Sequence, residues 1–210
     1  MTKAKRVALG RPPSMAAPRE TILAQAASLF AEKGYEQTSL QDVASAVGVS
    51  KAALYHYFQS KQMIYDEIVV ELLEGLYGYV KQNVTAAPAG KALLIFMRSH
   101  AKFFEENYVN FVTLLHGVGG IGAQMRSERQ VAIRDQYEML LRELLVNSGT
   151  SDRLRVDDVT LTATAILSML NWMSRWYKPG GTQSAVEIAE KYYAVLYGGL
   201  HPDAERRSCD

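Results

Sequence analysis

The chain has 210 residues, 48% of them hydrophobic, and a net charge of +1, which is typical of a water-soluble protein with a substantial core and excludes a chain that is disordered throughout. Its single cysteine excludes an internal disulfide, so a secreted scaffold held by disulfides is not expected. The protein is expected in a reducing cytoplasm. The charge is unevenly distributed: residues 1–61 carry eight basic and four acidic side chains, whereas residues 62–210 carry fifteen basic and eighteen acidic ones. A basic first third is the electrostatic pattern expected of a phosphate-binding surface.

Residues 1–17 contain two adjacent prolines and show no hydrophobic periodicity. They are predicted to form a basic arm that either contacts DNA or is a frayed terminus without a role. No apolar run follows the first basic residues before Ile22, so neither a signal peptide nor a membrane anchor is expected. The most apolar stretch, Val159 to Met173, is interrupted by polar residues and is shorter than the roughly 20 residues that a bilayer requires. It is interpreted as a buried helix, and no membrane partner is expected.

Apolar residues recur at helical spacing along the rest of the chain without any strand alternation, so the sequence predicts an all-α fold. Gly34 supplies a stop for the first helix, and Ser50 and Ser60 supply N-caps for the third and fourth. The predicted helices lie at about residues 18–33, 40–47, 51–58, 61–84, 91–107, 109–116, 124–147, 156–177 and 184–197.

Residues 40–57 have the spacing of a helix-turn-helix. Ala44 is small where the second helix would cross close by, and Gly48 permits the positive φ that the tight turn requires. Apolar residues at positions 49 and 54 would seal the corner between the two helices. Ser39 with Asp42 three residues later forms a capping-box pattern at the start of the first helix.

The register of the second helix points Leu54, Tyr57 and Phe58 inward and predicts an outward face. On this outward face the two small residues, Ala52 and Ala53, would let the backbone approach a major groove. Tyr55 and His56 would then donate hydrogen bonds to phosphates or base edges. The alternative is that Tyr55 and His56 are a packed aromatic ring and a solvated imidazole. The complete motif favours DNA contact, because its docking geometry presents this face. The outward residues are Lys51, Ala52, Ala53, Tyr55 and His56.

The segment from Arg19 to Ile68 strongly resembles the tetracycline-repressor (TetR/AcrR) family of bacterial transcriptional regulators. The resemblance is carried by AASLFAEKGY (26–35), TSL (38–40) and GVSKAALYHYFQSK (48–61). It implies a three-helix DNA-binding domain over residues 18–60 and a helical effector-binding and dimerisation domain over residues 61–200, between the arm (1–17) and a tail (201–210). It also implies a homodimer that binds a palindromic operator.

The resemblance also implies roles for individual residues. Positions equivalent to Thr38, Ser50, Tyr55 and Lys61 commonly meet DNA phosphates, and the helix from Lys51 to His56 reads bases. This chain has Tyr-His-Tyr-Phe at 55–58 where the family frequently has Tyr-Tyr-His-Phe, so His56 is either a base reader or a phosphate donor. The predicted DNA-binding set is Thr38, Ser39, Ser50, Lys51, Ala52, Ala53, Tyr55, His56 and Lys61.

A second, shorter resemblance concerns the C-terminal part. The segments NWMSRWYKPGG (171–181), EIA (187–189) and GGL (198–200) look like the signature of a TetR branch whose members often respond to acyl-coenzyme A thioesters of fatty-acid, steroid or aromatic catabolism. Trp172, Arg175 and Trp176 share one face of the predicted helix, which could stack a ring and pair an anion. The alternative is a cation–π staple that closes the helix end.

Coenzyme A phosphates would also need cations. The predicted long helix that begins near residue 124 carries several arginines, and Glu138 and Arg142 on it form an i,i+4 pair, so a solvated, salt-bridged face is the alternative for most of them. Arg126, Arg129 and Arg175 are predicted to meet the phosphates. The predicted ligand-binding set is Arg126, Arg129, Trp172, Arg175 and Trp176.

The apolar helix at 156–177 is predicted either to be fully internal or to meet a second subunit. No catalytic residue, metal site or cofactor is predicted, since the four histidines are scattered and the glycine-rich segment 117–122 lacks a strand-helix-strand context. His100 and His116 could line a pocket or be satisfied by neighbouring residues.

The predicted function is a sequence-specific repressor that an acyl-coenzyme A thioester releases from its operator. A ligand would tilt the fourth helix and change the separation of the two recognition helices. The alternatives are a repressor that responds to lipophilic drugs, with Glu105, Glu106 and Glu138 as the candidate carboxylates for a cation, and a DNA-binding activator without ligand release.

Overall fold

The computed structural model describes residues 19–116, 127–151 and 158–200. These ranges contain helices and no strand, so the predicted all-α fold is confirmed for them. The helices are α1 (Arg19–Lys33), α2 (Leu40–Val47), α3 (Lys51–Tyr57), α4 (Lys61–Thr85), α5 (Ala92–Glu106), α6 (Tyr108–His116), α7 (Glu128–Ser151), α8 (Val159–Trp172) and α9 (Ala185–Leu200).

The predicted C-terminal end of the helix at residues 156–177 is wrong. The helix predicted to reach Tyr177 ends at Trp172, and a 3₁₀ turn over Met173–Arg175 follows. The Ser174 hydroxyl donates to the Asn171 carbonyl, and the tighter turn buries the side chain of Met173. A 3₁₀ turn rotates each residue further than an α-helix does, so α-helical spacing no longer gives the side-chain directions beyond Trp172.

Two hydrophobic cores lie along the chain, and α4 contributes to both. The first core joins α1, α2 and α3 to the first half of α4 as far as Leu73, and Ile133 of α7 completes it. The second core surrounds α5, with the second half of α4 on one side and α6 to α9 on the others. Because α4 has 25 residues, it extends about 37 Å and links the two cores without a break. The predicted domain boundary at residue 61 stays a prediction.

Contacts from α6 and α4 hold α1 against the second half of the molecule. The Thr113 hydroxyl on α6 donates to the Ala27 carbonyl of α1 at 3.0 Å. Arg19, at the start of α1, pairs with Glu67 at 2.7 Å and with Glu71 at 3.0 Å, both on α4. Helix α1, which packs with α2 and α3 in the first core, is therefore tied to α6 of the second core. None of the helices described is both long and apolar enough to cross a bilayer.

Candidate DNA interface and ligand cavity

The turn between α2 and α3 has the geometry that its sequence predicts. At the start of α2 the Asp42 amide donates to the Ser39 hydroxyl oxygen at 3.1 Å, and the Ser39 amide donates to the Asp42 carboxylate at 2.8 Å. The Ser39 hydroxyl and the Ser39 amide both donate to the Asp42 carboxylate, and these two bonds lower the pKa of Asp42. Gly48 ends α2 with a φ of 78°, and the Val49 amide donates to the Ala44 carbonyl at 2.9 Å. The predicted capping box and glycine turn are confirmed.

Helix α3 presents most of the predicted face outward. Its N-cap Ser50 accepts a hydrogen bond from the Ala53 amide at 3.1 Å. Lys51 lies with its ammonium 5.8 Å from the centre of the Tyr55 ring, so the two side chains share one surface. The exposed residues of this face are Lys51, Ala52, Tyr55 and His56, with Ala53 half-buried.

One orientation predicted for α3 is wrong. Leu54 and Phe58 are buried as predicted, but Tyr57 is 36% exposed. Helix α3 ends at Tyr57, and Phe58 follows in extended backbone with a φ of −139°. This change of backbone directs Phe58 into the core beneath the Arg19 guanidinium, so Tyr57 is left at the surface beside the DNA-facing residues.

Two residues of the predicted DNA-binding set have partners inside the protein. Thr38 is 1% exposed, and its hydroxyl donates to the Gly34 carbonyl at 2.8 Å, so its side chain holds the loop before α2, and the phosphate contact stays a prediction. Lys61 is half-buried, and its ammonium donates to the carbonyls of Tyr35 at 2.6 Å and Glu36 at 3.3 Å. It ties the start of α4 to the loop before α2 and has one N–H left for a further partner.

A cavity of about 260 Å³ lies in the second half of the molecule. Helices α4 and α6 contribute apolar residues to its wall, and α7 and α8 contribute both apolar and polar residues. The lining residues are Leu73, Leu76, His100, Phe111, Val131, Ile133, Arg134, Asp135, Tyr137, Glu138, Leu167 and Asn171. A concave, mostly apolar space with a few polar groups is the usual form of a small-molecule site.

His100 and Tyr137 form a buried polar pair in this wall. Nδ1 of His100 on α5 lies 2.8 Å from the Tyr137 hydroxyl oxygen on α7. Burial lowers the pKa of His100 to about 3 and raises the pKa of Tyr137 well above 10, so both side chains are neutral at physiological pH. His100 thus meets both expectations, since it lines a pocket and is partly satisfied by a neighbour. The side chain of His116 lies outside the described residues.

Of the predicted ligand-binding residues that the structure describes, none lines this cavity. Arg129 is exposed and pairs with Glu74 of α4 at 2.7 Å. Trp172 is 63% exposed, with the Arg175 guanidinium 5.7 Å from its ring centre. That contact matches the cation–π staple, and Trp176 is exposed as well. A 3₁₀ turn replaces the α-helix after Trp172, so α-helical spacing no longer relates Trp172, Arg175 and Trp176. Arg126 lies outside the described residues.

Sequence reasoning missed most of the cavity wall. His100 sits on the apolar face of α5 with Phe96, Met97 and Phe104, which is a signal that it is buried. Nothing in one sequence pairs it with Tyr137, because the two residues are 37 positions apart on different helices. No cluster of three or more potential metal ligands occurs within the described ranges.

A chain of hydrogen bonds runs from α7 to the loop before α2. Gln130 on α7 and Gln62 on α4 both donate to the Asp66 carboxylate, at 3.0 and 2.8 Å. The Tyr35 hydroxyl donates to the Gln62 side-chain oxygen at 2.9 Å. Burial raises the pKa of Asp66. Because Val131 and Ile133 line the cavity next to Gln130, this chain links the cavity wall to the helix-turn-helix.

Helices α8 and α9 each leave an apolar face uncovered in the single chain. Ala163, Ile166 and Leu170 of α8 are buried. On the other side of α8 Leu161 is 66% exposed, so the alternative of a fully internal helix is wrong, and on α9 Val195 is 72% exposed. Each helix thus presents a large apolar side chain that is available to a second subunit.

Comparisons with known proteins agree with this arrangement. The family model described as bacterial regulatory proteins, tetR family, matches residues 22–68, and the model described as the tetracyclin repressor-like C-terminal domain matches residues 87–200. The HTH-type transcriptional repressor KstR2 of Mycolicibacterium smegmatis is 29% identical over 194 residues, which are 90% of this chain and 93% of the relative.

Solved structures show the same fold. The TetR family transcriptional regulator PfmR of Thermus thermophilus is 45% identical, with a TM-score of 0.78 over 86% of this chain and 98% of that one. The structure of AibR in complex with isovaleryl coenzyme A and operator DNA is 26% identical, with a TM-score of 0.75 over 85% of this chain and 97% of that one.

Proposed function

Because the chain belongs to the TetR family of bacterial regulators, we propose that it is a transcriptional repressor that binds operator DNA through α3 and is released when a small-molecule effector occupies the cavity. The observation that carries this proposal is the combination of an outward-facing recognition helix with a cavity whose wall includes Leu73 and Leu76 of α4. The protein is thus a binding protein rather than an enzyme, and it acts on DNA in the bacterial cytoplasm.

The proposed DNA interface is the exposed face of α3 with its N-cap. Ala52 gives a low surface that allows close approach to a major groove, and Lys51, Tyr55 and His56 supply donors around it. Ser50 is exposed at the helix start and can donate its hydroxyl hydrogen to a phosphate, whereas the Ser39 hydroxyl donates to Asp42. Thr38 is left out of this interface because it is buried.

The proposed dimer uses the uncovered faces of α8 and α9. Members of this family bind palindromic operators as dimers, and a second copy would bury Leu161 and Val195. A dimer on one operator must hold its two α3 helices about 34–36 Å apart, one turn of B-DNA. A change in the tilt of α4 alters this separation and weakens operator binding.

The proposed effector is an acyl-coenzyme A thioester of fatty-acid, steroid or aromatic catabolism. AibR, a structural neighbour, binds isovaleryl coenzyme A. The cavity of about 260 Å³ lies near the lower end of the range for ligand sites, so it suits an acyl group whose coenzyme portion extends outside. Arg134 is a cation of the cavity wall. Phosphate contacts by Arg126, Arg129 and Arg175 remain predictions.

The proposed coupling runs from the cavity wall to the DNA-binding helices. A ligand that displaces α7 would move Gln130 and so disturb its hydrogen bond to Asp66 on α4. The same carboxylate accepts from Gln62, which in turn holds Tyr35 beside the helix-turn-helix. The ligand shifts the equilibrium between the two conformers only by its difference in affinity for them.

The alternative of a cationic drug as effector finds less support in the described residues. Glu105 accepts a hydrogen bond from the Tyr177 hydroxyl, Glu106 pairs with Lys102 at 3.9 Å, and Glu138 pairs with Arg142. Each of the three predicted carboxylates therefore has a partner already. Asp135 is the remaining carboxylate among the described residues that line the cavity.

The test is a mobility shift of the DNA that flanks the gene, titrated with protein in the presence of acyl-coenzyme A thioesters and the matching free acids. We expect a shift that a thioester abolishes and its acid does not. A shift that every thioester leaves intact but a lipophilic cation abolishes would favour the drug sensor. A shift that no compound changes would favour an activator or architectural protein, and absence of any shift would contradict the proposed operator.

A further inference from the structure

One side chain of the cavity wall has a buried polar atom without a partner. His100 on α5 is 1% exposed and lines the cavity. Its Nδ1 faces the Tyr137 hydroxyl, but its Nε2 is buried and has no hydrogen-bond partner within the part of the chain that the structure describes. Buried polar atoms are almost always paired, so an unpaired one on a residue that lines a ligand cavity points to a contact that the ligand makes when it enters.

The partner of Nδ1 determines what Nε2 can offer. A neutral imidazole has one N–H donor and one acceptor nitrogen. If the Tyr137 hydroxyl donates to Nδ1, the single unpaired group is an N–H at Nε2. If Nδ1 donates instead, both the Tyr137 hydroxyl hydrogen and the Nε2 lone pair are left without partners. The first arrangement leaves fewer buried groups unsatisfied, so Nε2 carries the hydrogen and is a donor.

The surroundings of this donor are apolar and favour an uncharged acceptor. The His100 ring lies 5.9 Å from the Phe111 ring, and the Tyr137 ring stacks on Phe96 at 5.2 Å between centres. Burial lowers the pKa of His100 to about 3, so the imidazole carries no charge that could balance a carboxylate. A carboxylate placed against His100 would lose its hydration and gain no counter-charge from the imidazole.

We propose that Nε2 of His100 donates a hydrogen bond to an uncharged carbonyl oxygen of the effector, and that this contact makes the cavity select a thioester or ketone over a free acid. The inference rests on the proposed function, because it takes this cavity as the effector site. It assigns the recognition of the carbonyl group to a residue on α5, whereas the sequence assigns ligand contacts to α7 and the end of α8.

The experiment compares ligands that differ in the carbonyl group alone. The acyl chain is chosen as the tightest binder among butyryl-, isovaleryl-, octanoyl- and palmitoyl-coenzyme A, measured by titration calorimetry with the full chain. Its matched ligand is the thioether in which a methylene replaces the carbonyl; for the octanoyl chain this is S-octyl-coenzyme A. Heptyl methyl ketone and octanoate form a second pair, which lacks the coenzyme and differs in charge.

The variants separate the donor from the volume of the side chain. His100→Asn keeps an amide near the Nδ1 position but has none near Nε2, whereas His100→Gln reaches the Nε2 position. We expect the wild type to bind the thioester about 3- to 10-fold more tightly than the thioether. His100→Asn should abolish this ratio, and His100→Gln should restore part of it. Tyr137→Phe, which removes the hydroxyl that fixes the imidazole, should also reduce the ratio and provides a second route if a His100 variant fails to fold.

Each outcome bears on the proposal. A thioester-to-thioether ratio that His100→Asn leaves unchanged would overturn it, as would octanoate binding as tightly as the ketone, or a wild type that binds no carbonyl compound of the set. Operator release by the thioester with an unchanged ratio would leave the proposed function standing without this contact. A ratio that depends on His100 in the absence of operator release would keep the contact and overturn the effector role.

Discussion

The helix-turn-helix and the ligand cavity differ in how far apart along the chain their interacting residues lie. In the helix-turn-helix the stabilising contacts join near neighbours, such as Ser39 with Asp42 and Ser50 with Ala53. The cavity wall is assembled from five helices, and its polar pair joins residues 37 positions apart. Local contacts leave a signature in the sequence, whereas the cavity depends on how whole helices pack.

The two regions nevertheless share α4, so the first prediction asks whether they unfold together. Leu54 and Leu141 are both fully buried, one in each core. Leu54→Ala and Leu141→Ala should each lower the free energy of unfolding by about 2–5 kcal/mol, because each leaves a cavity in a packed core. Since α4 runs through both cores, both variants should shift a single thermal transition. Two transitions, each sensitive to one variant, would show that the cores are independent domains.

The second prediction concerns the buried imidazole of the cavity region. Its pKa falls from 6.5 to about 3 on folding, so between these values the unfolded chain binds a proton that the folded chain does not. Stability from this group is therefore complete above pH 6.5 and is lost as the pH falls, by about 1.4 kcal/mol for each pH unit. Urea unfolding at pH 6.5 and 5.5 measures the loss.

The control for this measurement is His100→Gln, which has no titratable group at that position. The variant should show a smaller pH dependence over the same interval. An equal pH dependence in the two proteins would mean that His100 is accessible to protons in the folded state.

Sequence reasoning succeeded where a local rule decides the structure. The bounds of α2 agree with the prediction because Ser39 and Gly48 fix both ends. It failed for Tyr57, whose orientation depends on the extended backbone at Phe58, and for the end of α8, where a 3₁₀ turn over Met173–Arg175 replaces the predicted α-helix. In both cases the packing of a neighbouring residue, Phe58 or Met173, determined the result.

The third prediction compares two lysines of the predicted DNA-binding set, one at the start of α3 and one at the start of α4. Lys51 is exposed on α3, whereas the Lys61 ammonium is held by the carbonyls of Tyr35 and Glu36. Lys51→Ala should reduce the salt dependence of operator binding by about one unit of slope, because one phosphate contact is lost. Lys61→Ala should leave that slope closer to the wild-type value and lower the free energy of unfolding by about 1–2 kcal/mol.

Fluorescence anisotropy at several salt concentrations, together with urea unfolding, measures both effects. A Lys61→Ala variant with wild-type stability and a reduced slope would restore the phosphate contact that the family resemblance implies. In that case the carbonyl contacts of Lys61 would give way to DNA when the operator binds.

The smallest effect is expected at the end of α8, where the sequence predicts ligand contacts and the structure shows a surface staple. Arg175→Ala removes a guanidinium that lies 5.7 Å from the exposed ring of Trp172 and outside the cavity. An exposed cation–π contact contributes about 0.5–1 kcal/mol, so the melting temperature should change little. The concentration of thioester that releases half of the operator should also stay the same, because this residue does not contact the acyl group.

Arg175→Lys keeps the charge without the planar guanidinium and serves as the matched control. If Arg175→Ala raised that concentration and Arg175→Lys did not, Arg175 would be a phosphate ligand for a coenzyme that extends beyond the cavity, and the effector site would reach further along the chain than its enclosed part.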